Sequence, residues 1–276
     1  MIKILGVKID NLSKEEILKK VEFFLSDSQF HQIATVNPEF IIRAGEDPEF
    51  KNILNNCYLN IADGSGIKLA FWRYGKKLKC RMAGIDLMLE ILKLASQRNL
   101  KVFLAASSRG LSSWELTRDS INKMYPSLEI SGANTDIKKP YSEPVTMNQE
   151  LVFCNFGTSY QEKFLNSLKS AKNGLPPHLC QNKNYVTGNF KEENNFTENI
   201  GLQEQMCRGK IRLAMGVGGS FDYLTGKVPR APEFMRQIGL EWLFRLIIEP
   251  RYRFKRIWNA VVIFPIKVIF NQENGS

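Results

Sequence analysis

The sequence is poor in the residues that build metal centres and disulfide frameworks. Its 276 residues include two histidines, His31 and His178, and five cysteines, an odd number without metal-like spacing. We therefore expect reduced thiols in a cytoplasmic protein. An Asp-x-Asp motif is absent as well. The sequence accordingly predicts neither a bound metal nor another cofactor.

Long hydrophobic runs are also missing. No run approaches the roughly 20 apolar residues that a membrane-spanning helix needs. The first ten residues are interrupted by Lys3, Lys8 and Asp10 and are typical of a strand, not of a secretory signal. We expect no spanning helix and no cleaved leader.

Positive charge is abundant and unevenly placed. The net charge is +10, and residues 227–270 contain nine Lys/Arg and three Glu. Two apolar faces at helical spacing follow in this region, the first ending at Pro250 and the second at Pro265. A basic stretch of this kind suits nucleic acid, anionic lipid or a diphosphate. We predict that residues 227–276 form a basic amphipathic appendage that binds a membrane surface.

Strand and helix patterns alternate over the first two thirds of the chain. Apolar strands are predicted at 32–36, 57–62, 101–106, 151–156 and 211–216, with helical periodicity between them. This order is typical of an α/β protein with a mostly parallel, Rossmann-like sheet covered by helices, here assigned to residues 1–226. Residues 131–150 are predicted to be loop, and 171–210 a flexible insertion.

Small polar and acidic residues follow the predicted strands. Asp63 and Gly64 lie where a strand ends and a helix begins, a place where ligands collect in open α/β sheets. A carboxylate there could accept a proton from a sugar hydroxyl; the alternative is a helix N-cap or turn residue. Thr35 and Asn37 could bind a base, ribose or phosphate, or Asn37 could cap the helix that Pro38 begins.

Three further positions are candidates for binding a nucleotide. Arg81 precedes a helix, and its guanidinium suits a diphosphate, although a surface arginine is the simpler interpretation. Asp86 is interpreted as the N-cap of that helix. Gln161 could read uracil or lie on a helix surface. Gly218 belongs to a glycine turn that lacks the full dinucleotide-binding pattern.

The ordered set of these motifs resembles the WecG/TagA/CpsF glycosyltransferases. The matching segments cover nearly the whole chain and include Thr35-Val-Asn-Pro-Glu39, Ala62-Asp-Gly-Ser-Gly66, Gly84-Ile-Asp-Leu87, Gln161-Glu-Lys163, Gly216-Val-Gly-Gly-Ser-Phe-Asp222, and Arg230-Ala-Pro232 through Leu240-Glu-Trp-Leu-Phe-Arg245. Each segment is weak alone, and their common order makes the resemblance specific.

The resemblance implies an inverting, metal-independent glycosyltransferase. The donor would be a UDP-sugar of the N-acetylmannosamine type, and the acceptor N-acetylglucosamine on undecaprenyl diphosphate, in teichoic acid-like surface polymer synthesis. Asp63 would be the general base. Thr35, Asn37, Gly64, Gln161 and Gly218 would bind substrate.

The resemblance also implies where the phosphates and the membrane would meet the protein. Arg81 would lie near the donor diphosphate, and Arg245, Arg251 and Lys255 near the phosphates of the lipid. The enzyme would sit peripherally on the inner face of the cell membrane. Whether the protein forms a homo-oligomer stays open.

Other interpretations also stay open. The donor could be another UDP-sugar, such as the uronate of UDP-N-acetylmannosamine. The chain could also be a family member that binds nucleotide sugar or lipid without catalysis. A nucleic-acid-binding protein is the third alternative, but Trp242, Phe244, Ile257, Trp258 and Phe264 form apolar faces and not a solvated stacking array. We therefore expect no nucleic-acid partner.

Overall fold

The computed structural model describes residues 1–136, 149–171 and 211–271. Its strands are β1 (Ile2–Ile4), β2 (Val7–Ile9), β3 (His31–Val36), β4 (Leu59–Ala62), β5 (Val102–Ser107), β6 (Ile130–Thr135), β7 (Leu151–Cys154) and β8 (Leu213–Gly216).

The helices before β8 are α1 (Lys14–Ser26), α2 (Pro38–Glu46), α3 (Pro48–Asn56), α4 (Ser65–Arg73), α5 (Gly84–Gln97), α6 (Trp114–Met124) and α7 (Tyr160–Ala171). The helices after β8 are α8 (Ser220–Leu224), α9 (Glu233–Gln237), α10 (Glu241–Ile248), α11 (Pro250–Trp258) and α12 (Phe264–Phe270), with a π-helical turn at Asn259–Ile263 between the last two.

Six strands form one parallel sheet in the order β4-β3-β8-β7-β5-β6. This confirms the predicted α/β class. Strands β3, β4, β5, β7 and β8 are buried along their whole length, as expected for a sheet with helices on both faces. From β3 the chain passes to β4 on one side of β3, whereas strands β5 to β8 all lie on the other side of β3. The strand order therefore reverses at β3 and β8, where open α/β sheets bind ligands.

Local sequence signals explain where several helices begin. Ser13 and Glu16 form a reciprocal capping box at α1, as predicted. The Oδ1 atoms of Asn37 and Asp47 accept hydrogen bonds from backbone N–H groups three residues later, and each is followed by a proline at the first helical position. These caps fix the direction in which α2 leaves the edge of the sheet.

Two predicted features near the ends of the core differ from the structure. The first ten residues form a β1–β2 hairpin outside the main sheet and not one strand. Part of the predicted loop 131–150 belongs to β6, an edge strand that pairs with β5 and with no other strand of the described residues. Its polar, half-buried residues lack the alternation that marks a strand. Residues 137–148 and the predicted insertion at 172–210 lie outside the described residues, and Ala171 ends α7.

The tail is helical past the proline expected to stop it. Pro250 does separate α10 from α11, as predicted. Pro265, however, lies in the first turn of α12, and the π-helical turn before it carries the chain on without a break. A proline removes one N–H and clashes with the carbonyl four residues earlier. The wider π-helical turn accommodates both effects.

The end of the tail packs into the core. Phe264 and Val268 are buried in a cluster with residues of α2 and α4, including Phe40 and Ile67. This packing places α11 and α12 over the loop that follows β4. Within the described ranges, no helix is long and apolar enough to cross a membrane.

Candidate active site

Asp63 lies at the carboxyl edge of the sheet, after the outer strand β4 and beside the end of β3. It follows β4 directly, and its N–H donates to the carbonyl oxygen of Val36 at the end of β3, at 2.8 Å. The next residue, Gly64, is the N-cap of α4 and has φ of +85°, a conformation that favours glycine. This turn holds the carboxylate at the entrance to the helix and does not use it as a cap.

Burial raises the pKa of the Asp63 carboxyl group into a range that suits proton transfer. Loss of solvation raises the pKa of Asp63 to about 6, and the nearby Glu241 carboxylate acts in the same direction. Arg245, Arg81 and a hydrogen bond from the Gly84 N–H act against them. A carboxylate with such a pKa is ionised at neutral pH and basic enough to accept a proton in a reaction.

Two clefts meet at Asp63. The larger, which we call the sheet cleft, has a volume of about 530 Å³ and lies between the strand ends of β3, β5, β7 and β8 and the start of α10. The second, the tail cleft, has a volume of about 230 Å³ and lies between the Asp63 loop and helices α9 to α11. Both are open to solvent, and Asn37, Asp63 and Arg245 line both. The carboxylate therefore faces two binding spaces at once.

The sheet cleft brings together several residues predicted to bind nucleotide. Thr35, Asn37, Gln161 and Gly218 all line it. The amide of Gln161 is held at both ends: its Oε1 accepts from the Gly218 N–H at 3.1 Å, and its Nε2 donates to Glu162 at 2.7 Å. Gln161 thus supports the glycine turn as well as lining the cleft.

Glu162 is buried directly behind this turn. Its carboxylate also accepts a hydrogen bond from the Ser159 N–H at 3.0 Å, and burial raises its pKa to about 8. A Cβ atom on Gly216 would clash with the side-chain ends of Gln161 and Glu162, so a larger residue there would have to displace this hydrogen-bonded pair. These contacts give β8 a rigid, side-chain-free end at the cleft.

The tail cleft is lined with arginines. Six arginines and four carboxylates border it, which leaves an excess of positive charge: Arg81, Arg230, Arg236, Arg245, Arg253 and Arg256 against Glu39, Asp63, Asp86 and Glu241. In the described part of the chain, the Nε atoms of Arg230, Arg236 and Arg245 are buried without a hydrogen-bond partner. Guanidinium groups with unused donors suit a phosphate or diphosphate.

Ion pairs made by arginines of the tail shape this cleft. Arg230 Nη2 contacts both carboxylate oxygens of Asp86 at 2.7 Å. Arg245 contacts Glu241 at 2.6 Å, and its guanidinium lies 4.9 Å from the centre of the Tyr223 ring. These half-buried contacts orient the arginines before any ligand arrives.

The remaining predicted site residues fall into two groups: some line the tail cleft, and others line neither cleft. Arg81 lines the tail cleft and donates through Nη2 to the backbone carbonyl of Arg236. Gly64 lines the same cleft, whereas Arg251 and Lys255 are exposed and line neither cleft. Asp86 is not the N-cap of α5, because the helix begins at Gly84 after Ala83; it lies in the first turn and pairs with Arg230.

Five further residues of the site are not singled out as binding residues by any sequence motif. Glu39, Arg230, Arg236, Arg253 and Arg256 line the tail cleft, yet they are far apart in the chain. One signal was available: Glu241 and Arg245 are four residues apart, as are Glu249 and Arg253, and both pairs are joined in the structure. The described residues contain no cluster of three or more His, Cys, Asp or Glu that could hold a metal ion.

The fold and the site together define an enzyme class. A parallel α/β sheet, a buried carboxylate beside its strand ends and an arginine-lined cleft fit a glycosyltransferase acting on phosphorylated substrates. The sequence model of the glycosyl transferase WecG/TagA/CpsF family matches residues 2–203 and 187–275. The chain belongs to this family, which confirms the resemblance found in the sequence.

Curated relatives share one name. The chain is 26% identical to the N-acetylglucosaminyldiphosphoundecaprenol N-acetyl-beta-D-mannosaminyltransferase of Bacillus subtilis (strain 168), over 96% of this chain and 86% of that protein. It is 26% identical to the protein of the same name from Bacillus spizizenii, over 92% and 84% of the two chains. For Staphylococcus aureus (strain MRSA252) the identity is 25%, over 97% and 91%.

Proposed function

We propose that this glycosyltransferase moves an N-acetylmannosamine-type sugar from UDP to N-acetylglucosamine on undecaprenyl diphosphate. The product would enter a teichoic acid-like surface polymer. The observation that carries the proposal is the position of Asp63, where the sheet cleft and the tail cleft meet. A base placed between two binding spaces can act on an acceptor from one while the donor occupies the other.

The two clefts differ in the ligand that they suit. The sheet cleft lies at the strand ends, with backbone N–H groups at the glycine turn and polar side chains from β3 and α7, and we assign it to the UDP-sugar. The tail cleft is lined by six arginines, against four in the sheet cleft, and we assign it to the diphosphate of the acceptor. Arg81 and Arg245 both lie near Asp63. Arg81 would balance charge on the acceptor diphosphate, and Arg245, which lines both clefts, would balance charge on both diphosphates.

The reaction is a single displacement at the anomeric carbon. Asp63 accepts the proton of the acceptor hydroxyl as its oxygen bonds to the anomeric carbon. The bond from that carbon to the UDP oxygen breaks, and UDP leaves with the electron pair. Attack from the face opposite the leaving group inverts the anomeric configuration. The guanidinium of Arg245, which lines both clefts, would stabilise the negative charge that develops on the leaving diphosphate.

The tail supports docking on a membrane surface. Phe254 is 61% exposed and Trp258 is 50% exposed on α11, and Arg251 and Lys255 are exposed on the same helix. Aromatic side chains beside basic ones suit the interface of an anionic bilayer. We propose that α11 and α12 rest on the inner face of the cell membrane, where a polyprenyl diphosphate would reach the tail cleft.

The test is release of UDP over a panel of UDP-sugars with GlcNAc diphosphate lipids as acceptors. Fastest turnover with UDP-N-acetylmannosamine, together with an inverted linkage in the product, is expected. Fastest turnover with its uronate would change the donor and leave the reaction class intact. Binding of UDP-sugars with no UDP release from any of them would instead identify a binding protein.

A further inference from the structure

Helix α4 exposes a large aromatic residue that the core does not use. Trp72 lies in the last turn of this helix and is 75% exposed; Leu69, three residues earlier on the same face, is 40% exposed. The opposite face of the helix is buried through Ile67, Ala70 and Phe71. An isolated exposed leucine is ordinary, but a tryptophan this exposed beside it points to a partner.

The charge around this face has one sign. No Asp or Glu occurs between Gly64 and Ile85, whereas the segment holds Lys68, Arg73, Lys76, Lys77, Lys79 and Arg81. The first four of these are exposed on α4 and the turn that follows it. Lys79 instead pairs with Glu16, and Arg81 turns into the tail cleft. The exposed face of α4 is therefore apolar and aromatic at its centre and basic around it.

This face continues onto the end of the tail. Helix α12 packs against α4, and Arg73 Nη2 donates to the carbonyl oxygen of Ile269 at 3.2 Å. The exposed side chains of α12 are apolar except for Lys267: Ile266 is 48%, Ile269 51% and Phe270 78% exposed. No acidic residue occurs between Pro250 and Phe270. Two adjoining helices from distant parts of the chain thus present the same composition to solvent.

We propose that helix α4 of the catalytic core is itself a membrane anchor, with Trp72 and Leu69 inserted at the interface of an anionic bilayer and Lys68, Lys76 and Lys77 near lipid phosphates. Tryptophan is enriched at this depth, and lysines and arginines favour anionic headgroups. Acidic lipid complements the charge of this face better than a second copy of this basic chain does. The proposal rests on the membrane docking proposed above.

The anchor has a consequence for the reaction. Helix α4 begins at Ser65, which lines the tail cleft directly after Asp63 and Gly64, and Trp72 is in its last turn. A nine-residue helix is about 13 Å long. A membrane contact at Trp72 would therefore set the distance from the bilayer to the Asp63 loop through a single rigid element. The tail would position the arginines, and α4 would position the base.

The test compares full-length variants on vesicles of neutral lipid with and without 30–50% anionic lipid, a range of roughly physiological to high surface charge. Trp72→Ala should lower binding to anionic vesicles about tenfold, since a large side chain loses its apolar contact. Phe23→Ala is the matched control: Phe23 is 61% exposed on α1, near the amino edge of the sheet, and should bind as the unaltered protein does. Circular dichroism verifies that both variants fold.

A second variant tests the charge around Trp72. Lys76→Glu combined with Lys77→Glu should weaken binding to anionic vesicles and leave the weak binding to neutral vesicles unchanged. Equal vesicle binding by Trp72→Ala and the unaltered protein overturns the anchor; if the same variant instead shifts the oligomeric state, the face joins two copies of the chain. UDP release by the unaltered protein with a water-soluble short-chain acceptor tests the proposed transferase separately, so either proposal can fail alone.

Discussion

Arg256 of the tail and Glu39 of the core form a bidentate ion pair at the tail cleft. The Nε atom of Arg256 lies 3.0 Å from both carboxylate oxygens of Glu39, and Nη2 lies 2.7 Å from one of them. Glu39 is in the first turn of α2, two residues after Asn37. This contact holds α11 beside the residues that line the site.

Breaking this pair should loosen the tail over the site. Glu39→Gln and Arg256→Gln are each expected to lower kcat/KM for the lipid acceptor about three- to tenfold, because a half-exposed pair contributes modestly. The double variant should lose little more than either single one, since both remove the same contact. If the losses of the two single variants add up in the double variant, Glu39 and Arg256 act independently and not through their ion pair. A far larger loss for Arg256→Gln alone would show that Arg256 meets the acceptor directly.

Replacing the carboxylate of Asp63 should stop the chemical step and spare donor binding. Asp63→Asn keeps the size of the side chain but removes the base, so kcat should fall by about 10²-fold or more. The dissociation constant for the UDP-sugar, measured by calorimetry, should change little. Near-normal turnover by this variant would remove Asp63 from the mechanism.

The pH dependence of the enzyme should report the same carboxylate. Burial and Glu241 raise the pKa of Asp63 to about 6, and a base works only when ionised, so kcat/KM should fall as the pH drops through about 6. Glu241→Gln removes a negative charge that disfavours ionisation and should move this acid limb to lower pH. A limb that stays in place in the Glu241 variant would assign the ionisation to another group.

Turnover is expected to need no divalent metal. This prediction comes from the missing Asp-x-Asp motif and from the arginines that face the two clefts, which can balance the charge of the leaving diphosphate. The measurement is UDP release before and after treatment with EDTA. Activity that disappears with EDTA and returns with Mg²⁺ or Mn²⁺ would contradict it.

The last helix should contribute to the stability of the whole chain. Phe264 is fully buried against the core, so Phe264→Ala should lower the free energy of unfolding by about 3–5 kcal/mol. Phe254→Ala is the control, because Phe254 is 61% exposed and its loss should change stability by about 0.5 kcal/mol or less. Urea unfolding measures both. Equal stabilities would show that residues 227–276 are an appendage that the core does not need.

The sequence pattern did not indicate how the tail packs against the core. The boundary proposed at residue 227 followed from a change in charge, and charge carries no information on packing. Phe264 and Val268 are ordinary apolar residues at helical spacing, equally compatible with a bilayer and with the core. The π-helical turn that lets the helix pass Pro265 has no sequence signature of its own. Packing against α2 and α4 supplies the energy that favours this conformation.

The sequence alone determined the parallel α/β sheet and the placement of Asp63, Thr35 and Asn37 at strand ends, because these features depend on local periodicity and on punctuation by Gly, Pro and cap residues. It also determined the basic character of the tail. Only the tertiary structure decided which basic residues face the site: Arg245, Arg253 and Arg256 line a cleft, whereas Arg251 and Lys255 are exposed. The reason is physical: charge is a property of composition, whereas the direction in which a guanidinium points depends on how the helix that carries it docks.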